Sequence, residues 1–402
     1  MEDKQVTVAL PKTYRTTMLS DTHRPQSTVL IVDDEIGPRE ALKLLLHQNF
    51  HICVAENAAT ALHILETQPI DLVTLDQRLP DTSGLDLLRD IKQRYPDVEV
   101  IIITGYGCLK SAMESLHHGA AGYLLKPFNT NELTALITQT AEKKQRLDFI
   151  RSTLRSSPDL WTPNSTTRAW HIFRETYCSF LTKAQPHAVT SPEMPWPLLL
   201  SDVLEAFDRQ LWNHSCRVSL YAGLMGKQLR LDPLLYEQLT VGAFLHDIGK
   251  ISPACLQGVD QHVHHDCFTT VETQHPLLGA ELLHALELPA EVIDIVSHHH
   301  ERWDGTGCPH GQQGEAIPLG ARIVSIAEAF DEWTVDTTEQ ESLPFEEAAR
   351  RLSKASCSLF DPTLVELFVP LLVISRASLP PLATSPFTNQ HALPFPTSSI
   401  TR

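Results

Sequence analysis

Residues 299–309 read HHERWDGTGCP, and this stretch decides how the second half of the chain is interpreted. Adjacent histidines, an Asp-Gly pair and a Gly-Cys-Pro turn rarely occur together in an ordinary loop. The stretch closes a series of histidines and aspartates that begins at His214. A series of this kind is what a protein needs to hold a pair of metal ions and to use them on a phosphoester.

Helical periodicity surrounds this stretch, from residue 198 to about residue 375. His214 falls on an apolar stripe, and Asp331 shares a helix face with Val324 and Ala327. Because burying an unpaired carboxylate is very costly, the position of Asp331 predicts a cation beside it. A single histidine on such a face is more often a hydrogen-bonded core residue, but five histidines with two aspartates favour a metal site. Mixed imidazole and carboxylate ligands suit Fe, Mn or Zn better than Ca.

Five motifs in this region carry a resemblance to a known family. They are HSCRV from His214, HDIGK from His246, HPLLGAELL from His275, HHERWDGTGCP from His299, and ARIVSIAEAFDEW, which contains Asp331. Together they resemble the HD-GYP branch of the HD superfamily of metal-dependent phosphohydrolases, over roughly residues 198–372. Members of that branch hydrolyse cyclic di-GMP, so the resemblance predicts this substrate.

The resemblance also implies roles for individual residues. It implies two divalent metals, most often iron or manganese, and seven ligands: His214, His246, Asp247, His275, His299, His300 and Asp331. Asp247 would bridge the two metals, and Lys250 would contact the scissile phosphate. A pair of metals can aim a hydroxide at phosphorus, and a lysine can offset charge that develops on the phosphoryl oxygens.

Three departures from the family pattern leave alternatives open. Cys308 stands where the family has the tyrosine of its name, and the usual Arg-Pro-Tyr segment is absent near residues 335–338. Gln210 stands where members with a third metal have a glutamate, so two metals are expected. The alternatives are a degenerate output domain that binds a nucleotide or partner protein without hydrolysis, and a hydrolase of another phosphoester. A loop cluster at His262, His264, His265 and Asp266 could form an accessory metal site, although a solvated loop is the commoner interpretation.

The first part of the chain shows four apolar runs that end in polar residues. Residues 29–32, 72–75, 100–103 and 122–125 are continuous apolar runs typical of strands covered on both faces. The residues that follow them are Asp33 and Asp34, Asp76, Thr104, and Lys126. Carboxyl ends of parallel strands line one crevice, so these side chains are expected to converge. Clustered carboxylates there predict a Mg²⁺ site, and an aspartate beside it can accept a phosphoryl group.

This segment resembles the receiver domain of bacterial response regulators over residues 28–147. The resemblance implies that Asp76 is the phosphoacceptor and that Asp33, Asp34 and Asp76 bind Mg²⁺. It also implies that Thr104, Tyr123 and Lys126 form the phosphorylation switch, and that a cognate histidine kinase is a partner.

The predicted fold class is therefore a two-domain protein. A flavodoxin-like, doubly wound five-stranded parallel sheet precedes an all-α HD-type helical domain. The predicted organisation is a flexible tail (1–27), a receiver domain (28–147), a helical or irregular linker (148–197), an HD-GYP domain (198–375) and a disordered tail (376–402). A helix is expected around residues 169–183. A charged helix over residues 141–155 is expected to carry the receiver's state towards the catalytic helices, so a flexible insertion near Ser156 should uncouple phosphorylation from activity.

Composition sets the broad class of the protein. The 402 residues carry a formal net charge of −17, which argues against direct nucleic-acid binding and against an anionic membrane surface. The 8 cysteines include no Cys-x-x-Cys pair and are expected to be reduced thiols. The sequence has no signal-peptide or membrane-spanning pattern. It predicts a soluble, cytoplasmic two-component response regulator whose phosphodiesterase output is controlled at Asp76, and it allows a homodimer.

Overall fold

The structure is a computed structural model that describes residues 27–105, 115, 118–156, 167–184, 195–251, 270–335 and 342–375. The chain separates into two compact units, with the division between Ala141 and Glu142. Both predicted tails lie outside the described residues, apart from Ser27, as does the histidine cluster at residues 262–266.

The first unit is built on a five-stranded parallel sheet. Its strands are Thr28–Val32 (β1), His51–Ala55 (β2), Leu72–Leu75 (β3), Glu99–Thr104 (β4) and Gly122–Leu125 (β5). Their order in the sheet is β2-β1-β3-β4-β5, and every neighbouring pair is parallel. The order reverses between β1 and β3, so the ligand crevice of such a sheet is expected beside the carboxyl ends of these strands.

Helices cover both faces of this sheet because its strands bury apolar side chains on both sides. The helices between strands are Ile36–Leu46 (α1), Ala58–Thr67 (α2) and Gly84–Arg94 (α3). Along β1, Leu30 points into one apolar cluster and Ile31 into the other. The side chains of Asn57 and Ser83 accept backbone N–H groups at the starts of α2 and α3, which fixes where these two helices begin.

The helix that follows β5 contributes to two cores. It spans Thr130–Ser156 (α4), and its Leu133 and Ile137 lie in the core of the first unit. Its Leu147 and Ile150 lie in the core of the second unit. The charged helix expected over residues 141–155 is therefore the second half of a longer helix.

A second helix falls in the segment that the sequence assigned to a linker. It spans Thr167–Ala184 (α5), close to the helix expected around residues 169–183. Trp170 and Tyr177 of α5 are fully buried in the same core as Leu147 and Ile150. These described residues thus act as part of the second unit's hydrophobic core.

The rest of the second unit consists of helices joined by loops in its described residues. The helices are Trp196–Phe207 (α6), Arg209–Gln228 (α7), Pro233–Leu245 (α8), Thr270–Ala285 (α9), Ala290–His298 (α10), Leu319–Thr334 (α11), Phe345–Ala355 (α12) and Pro362–Ser375 (α13). A short 3-10 turn, Ile248–Ile251, follows α8. Helix α7 buries Trp212 in one apolar cluster and Tyr221 in another. No helix in the described part of the chain is long and apolar enough to cross a bilayer.

Candidate metal centre and phosphoacceptor site

The carboxyl ends of the strands in the first unit bring three of the predicted residues together. Lys126 Nζ lies 2.7 Å from Asp33 Oδ2 and 2.6 Å from Asp76 Oδ2. Asp33 is buried at the end of β1, and Asp34 beside it is exposed. Thr104, at the end of β4, is buried, and its carbonyl accepts the backbone N–H of Lys126 at 2.8 Å.

The charged groups at the carboxyl ends of the strands, one lysine and two aspartates, suit a site for a phosphoryl group and Mg²⁺. Burial lowers the pKa of Lys126, but its hydrogen bonds to Asp33 and Asp76 outweigh burial and raise that pKa overall. The lysine therefore stays charged and draws the two carboxylates together. Their oxygens are the hard donors that Mg²⁺ prefers. Tyr123, on β5, is partly buried and packs against one of the two apolar clusters.

The second unit collects two groups of possible metal ligands. One group consists of His275, His299 and His300. The other consists of His214, His246, Asp247 and Glu328. These residues come from α7, from the segment after α8, from α9, from the end of α10 and from α11. Side chains scattered over more than one hundred residues of sequence thus meet at one buried place.

The three histidines of the first group present the same ring nitrogen to one another. His275 Nε2 lies 3.1 Å from His299 Nε2 and 3.3 Å from His300 Nε2. Imidazole nitrogens that share one ion at about 2.1 Å are separated by about 3 Å. The spacing therefore fits a common metal ion.

The second group repeats this arrangement with an added carboxylate. His214 Nε2 lies 3.3 Å from His246 Nε2, and Glu328 Oε1 lies 3.8 Å from the same nitrogen of His246. This donor set combines imidazole nitrogen and carboxylate oxygen, which suits divalent transition metals such as iron.

Asp247 lies between the two groups and faces both. Its Oδ1 is 3.1 Å from His275 Nε2 and 3.9 Å from His299 Nε2. Its Oδ2 is 3.4 Å from His246 Nε2 and 3.8 Å from His214 Nε2. The side chain of Asp247 is fully buried. One carboxylate is therefore placed to share its two oxygens between two ions.

Backbone carbonyls set the tautomers of two of these histidines. His246 Nδ1 lies 2.8 Å from the carbonyl of Ala243, and His299 Nδ1 lies 2.8 Å from the carbonyl of Val296. A carbonyl can only accept, so each Nδ1 carries the hydrogen and each Nε2 keeps its lone pair for a metal.

Burial also favours the neutral form of three of these histidines. It lowers the pKa of His246 and, with the neighbouring His300, lowers the pKa of His299 well below its usual range. Burial and His275 lower the pKa of His300 to about 3. Neutral imidazole is the form that binds metal. For Asp247, burial acts to raise the pKa, but Lys250 and His246 overcome it and hold the pKa well below its usual range.

Glu328 is a site residue that the sequence interpretation missed. It lies on α11, three residues before Asp331 and on the same helix face. Burial, Glu332 and Asp247 raise the pKa of Glu328 well above its usual range, which a nearby cation would reverse. The signal was present in the sequence, because Glu328 stands among apolar residues in IAEAF.

Asp331 lies on the outer side of His214. Its Oδ2 is 2.7 Å from His214 Nδ1, the nitrogen that points away from His246. Arg217 donates to both oxygens of Asp331, at 2.6 and 2.8 Å. Burial acts to raise the pKa of Asp331, but the hydrogen bonds from His214 and Arg217 lower it overall. Six of the seven predicted ligands thus turn side-chain atoms towards one another, and Asp331 lies behind one of them.

The loop after His300 is fixed by its own backbone. The buried carboxylate of Glu301 accepts the N–H groups of His310 and Gln312 at 2.7 and 3.0 Å. A Cβ atom on Gly307 would lie 2.2 Å from the backbone nitrogen of Arg302, so only glycine fits there. Cys308 is half-buried, and its N–H donates to the carbonyl of His300 at 3.2 Å.

The same loop is tied to the turn between α12 and α13. The N–H of Trp303 donates to the carbonyl of Leu359 at 3.1 Å, and the N–H of Asp304 donates to the carbonyl of Ser358 at 2.9 Å. The segment that follows the two histidines is therefore held by a part of the chain more than fifty residues later.

Two family models match this chain. Residues 29–138 match the response regulator receiver domain, and residues 198–364 match the HD domain. The chain is a response regulator with an HD output domain. The predicted two-domain fold class is confirmed, and a receiver domain implies a phosphodonor for this response regulator. Both domain types, together with the histidine and carboxylate groups, indicate that it binds divalent metals.

Relatives of this response regulator are similar over most of its length. A cyclic di-GMP phosphodiesterase of Thermotoga maritima is 27% identical over 86% of this chain and 90% of its own length. A probable cyclic di-GMP phosphodiesterase of Vibrio cholerae is 29% identical over 86% of this chain and 77% of its own. The cyclic di-GMP phosphodiesterase response regulator RpfG of Xanthomonas campestris is 27% identical over 84% of this chain and 86% of its own length. A solved receiver domain of an HD domain-containing protein from Pseudomonas fluorescens is 30% identical, over 30% of this chain and 98% of that one, with a TM-score of 0.29.

Proposed function

We propose that this response regulator hydrolyses cyclic di-GMP at a dinuclear metal centre in its HD domain, under the control of phosphorylation at Asp76. The observation that carries the proposal is the placement of Asp247, whose two oxygens face two different groups of histidines. A shared carboxylate between two ions is the arrangement that two-metal phosphoester chemistry uses. The names of three relatives that align over most of the chain support the substrate.

The ligand set divides into two halves around Asp247. His275, His299 and His300 would hold one ion, and His214, His246 and Glu328 would hold the other. Nitrogen-rich sets with a few carboxylates suit iron or manganese. When bound, the metal pair supplies Lewis-acid stabilisation of charge on the phosphoryl group.

Lys250 is the residue proposed to contact the scissile phosphate. Its Nζ lies 2.6 Å from Asp247 Oδ2, and its side chain is 30% exposed, so the ammonium stands at the edge of the centre. Burial acts to lower the pKa of Lys250, but Asp247 and Glu328 overcome it and raise the pKa overall. The lysine therefore remains charged and can offset negative charge that develops on the phosphoryl oxygens.

The control step is proposed to occur at the receiver domain. A cognate histidine kinase would donate a phosphoryl group to Asp76, with Mg²⁺ held by Asp33, Asp34 and Asp76. Lys126 already contacts Asp76, so it can pair with the added phosphoryl charge. Thr104 and Tyr123 would change their contacts when Asp76 is phosphorylated. A homodimer is part of the same proposal, and sedimentation before and after phosphorylation measures it.

Turnover of cyclic di-GMP by metal-loaded protein tests the proposal. We expect hydrolysis with Mn²⁺ or Fe²⁺, a changed rate after beryllofluoride treatment as a phosphate mimic, and loss of hydrolysis in His275→Ala. His284→Ala is the matched control, because His284 is an exposed histidine on the same helix α9. No turnover by fully loaded protein, with and without the phosphate mimic, would contradict the proposal.

A second candidate function is nucleotide binding without hydrolysis. Cys308 favours it, because a tyrosine ring and hydroxyl are missing from the loop beside His300. Calorimetric binding of cyclic di-GMP without turnover would identify this alternative. Turnover of a different cyclic dinucleotide, with none of cyclic di-GMP, would identify another phosphoester as the substrate.

A further inference from the structure

We infer that Asp331 and Arg217 form a positioning pair that orients His214 for metal binding, and that Asp331 is not itself a metal ligand. The inference rests on the proposed dinuclear centre and deepens it. It changes the role that the sequence gave to Asp331, and it assigns a role to Arg217, which the sequence interpretation left unused.

Both ring nitrogens of His214 have close partners. Its Nε2 lies 3.3 Å from His246 Nε2 and 3.8 Å from Asp247 Oδ2, inside the group of ligands. Its Nδ1 lies 2.7 Å from Asp331 Oδ2, on the opposite side of the ring. An ionised carboxylate only accepts, so Nδ1 carries the hydrogen and Nε2 keeps its lone pair. A carboxylate behind a ligating imidazole fixes both the tautomer and the ring orientation.

Both carboxylate oxygens of Asp331 accept hydrogen bonds from Arg217. Arg217 Nε donates to Oδ1 at 2.6 Å, and Arg217 Nη2 donates to Oδ2 at 2.8 Å. This two-point contact is the strongest arginine–carboxylate geometry and sets the plane of the carboxylate. The Arg217 side chain is 17% exposed and that of Asp331 is 1% exposed, so the pair is shielded from competing water.

Asp331 and Glu328 lie on the same helix but have different partners. Both carboxylates are buried and lie one turn apart on α11. Asp331 already has the guanidinium of Arg217 against both of its oxygens, whereas Glu328 Oε1 faces His246 Nε2 at 3.8 Å. A buried carboxylate needs one compensating cation. The arginine meets that need for Asp331, and an ion bound with His214 and His246 would meet it for Glu328.

The orientation of His214 depends on side chains, whereas that of His246 and His299 depends on the backbone. His246 and His299 are oriented by backbone carbonyls, which a side-chain substitution leaves in place. His214 is oriented by a side chain, and that side chain is held by another side chain three residues after His214 on α7. Substitution can therefore release His214 without removing any ligand.

Metal binding without nucleotide tests the inference. We would titrate Mn²⁺ into metal-free full-length protein, follow the unbound ion by electron paramagnetic resonance, and fit two affinities. Asp331→Asn and Arg217→Gln are each expected to weaken one affinity by roughly 10- to 100-fold, the range for losing an outer partner of a metal-bound histidine. The double variant is expected to be no weaker than the worse single variant, because the two residues act as one unit. Glu328→Gln should lose the ion that His214, His246 and Glu328 are proposed to hold.

Arg217→Lys is a milder variant that keeps the charge without the two-point contact, and it is expected to give an intermediate affinity. Arg322→Gln is the matched control. It removes the arginine of another buried pair, Arg322 with Asp361 at 2.7 Å, whose described contacts include none of the ligand histidines. Both Mn²⁺ affinities should stay within about twofold of wild type in this control, because the described contacts of Arg322, including its packing over the ring of Trp303, reach no ligand histidine.

Loss of one ion in Asp331→Asn with unchanged affinities in Arg217→Gln would overturn the inference, because Asp331 would then be a ligand. Unchanged affinities in both variants would also overturn it. Wild-type protein that binds two Mn²⁺ ions but hydrolyses no cyclic di-GMP would contradict the proposed function alone. Wild-type protein that binds no Mn²⁺ would overturn both.

Discussion

Gly249 lies where the short 3-10 turn meets helix α9, and it has no room for a side chain. A Cβ atom there would lie 2.0 Å from the carbonyl oxygen of His275 and 2.7 Å from the backbone nitrogen of Gly279. Both are backbone atoms, so neither can rotate away. The glycine of HDIGK therefore serves the packing that holds His275.

Gly249→Ala is expected to lower the free energy of unfolding by about 1–3 kcal/mol, the usual cost of overpacking. It should also lower the bound metal per chain, because α9 must shift. Urea unfolding and metal analysis measure these effects. Gly37→Ala is the control, since no atom lies within 4 Å of a Cβ there. Unchanged stability and metal content in Gly249→Ala would show that the close contact is not rigid.

His300 makes the metal-free HD domain sensitive to acid. Its pKa is lowered to about 3 in the folded protein, against about 6.5 in an unfolded chain. Between these values the unfolded chain binds the proton first, so acidification favours unfolding. The stabilisation is complete above pH 6.5 and is lost as the pH falls towards 3.

The free energy of unfolding of protein kept in a chelator is expected to fall on acidification by up to about 1.4 kcal/mol per pH unit from this group. Glu328 works in the opposite direction, because its pKa is raised. The comparison with His300→Asn isolates the contribution of the histidine. The free energy of unfolding of this variant should fall less steeply with acidification between pH 6.5 and 4. Equal slopes in the two proteins would contradict the assigned pKa.

For Glu328 and Asp331, the sequence predicts burial but not the partner of each carboxylate. Helical spacing placed Asp331 on the buried face, and the same spacing applies to Glu328. What separates their roles is Arg217, which lies 114 residues before Asp331 in the sequence. Periodicity within α11 contains no information about a side chain from α7, so the partner could be found only in three dimensions.

At the scale of elements, α4 is held to the helices that precede the metal site. Lys143 Nζ lies 2.7 Å from Glu205 on α6 and 5.3 Å from the ring centroid of Trp212 on α7. Arg151 Nε donates to the carbonyl of Ala206 at 2.8 Å. Trp212 precedes His214 by two residues. These contacts give the second half of α4 a direct connection to the helix that carries a proposed ligand.

The contacts of Lys143 and Arg151 change where an insertion is expected to uncouple phosphorylation of Asp76 from hydrolysis. An insertion near Ser156 would fall after both contacts. Three flexible residues inserted after Ala141 would fall before them, and this insertion is expected to remove the effect of Asp76 phosphorylation on activity while metal content stays unchanged. The measurement is cyclic di-GMP turnover with and without beryllofluoride, with the insertion after Ser156 as control. Retained coupling in the first variant would contradict the route through α4.

The elements that the sequence predicted well are those with a clear local pattern. The strands β1, β3, β4 and β5 follow continuous apolar runs, and their order and parallel pairing agree with a doubly wound sheet. Helix α5 was expected, but its part in the core was not. Its Trp170 and Tyr177 are buried in a cluster with residues of α4 and α6, and the stretches between these helices have a mixed composition that does not predict such packing.

At the scale of the whole molecule, each unit has its own hydrophobic core. Each core can support its own unfolding transition. Ligands that bind only one folded unit should therefore stabilise that unit alone.

Calorimetry of the full chain is expected to resolve two transitions. Mn²⁺ at 100 times its dissociation constant should stabilise one of them by about 2.7 kcal/mol per site, and beryllofluoride with Mg²⁺ should raise the other. Asp247→Asn should remove the first effect only, and Asp76→Asn the second only. A single transition that both additions raise would contradict independent cores.

The backbone bonds from Trp303 and Asp304 to the turn between α12 and α13 set the smallest useful fragment of the HD domain. A fragment that ends before residue 356 keeps the seven ligands predicted from the sequence and Glu328, yet it loses the two carbonyls that anchor the loop after His300. Sequence change in that turn can then alter the loop beside the metals without touching the motif itself. A substitution within residues 356–361 is thus expected to shift the loop beside His300 while residues 299–309 themselves stay unchanged.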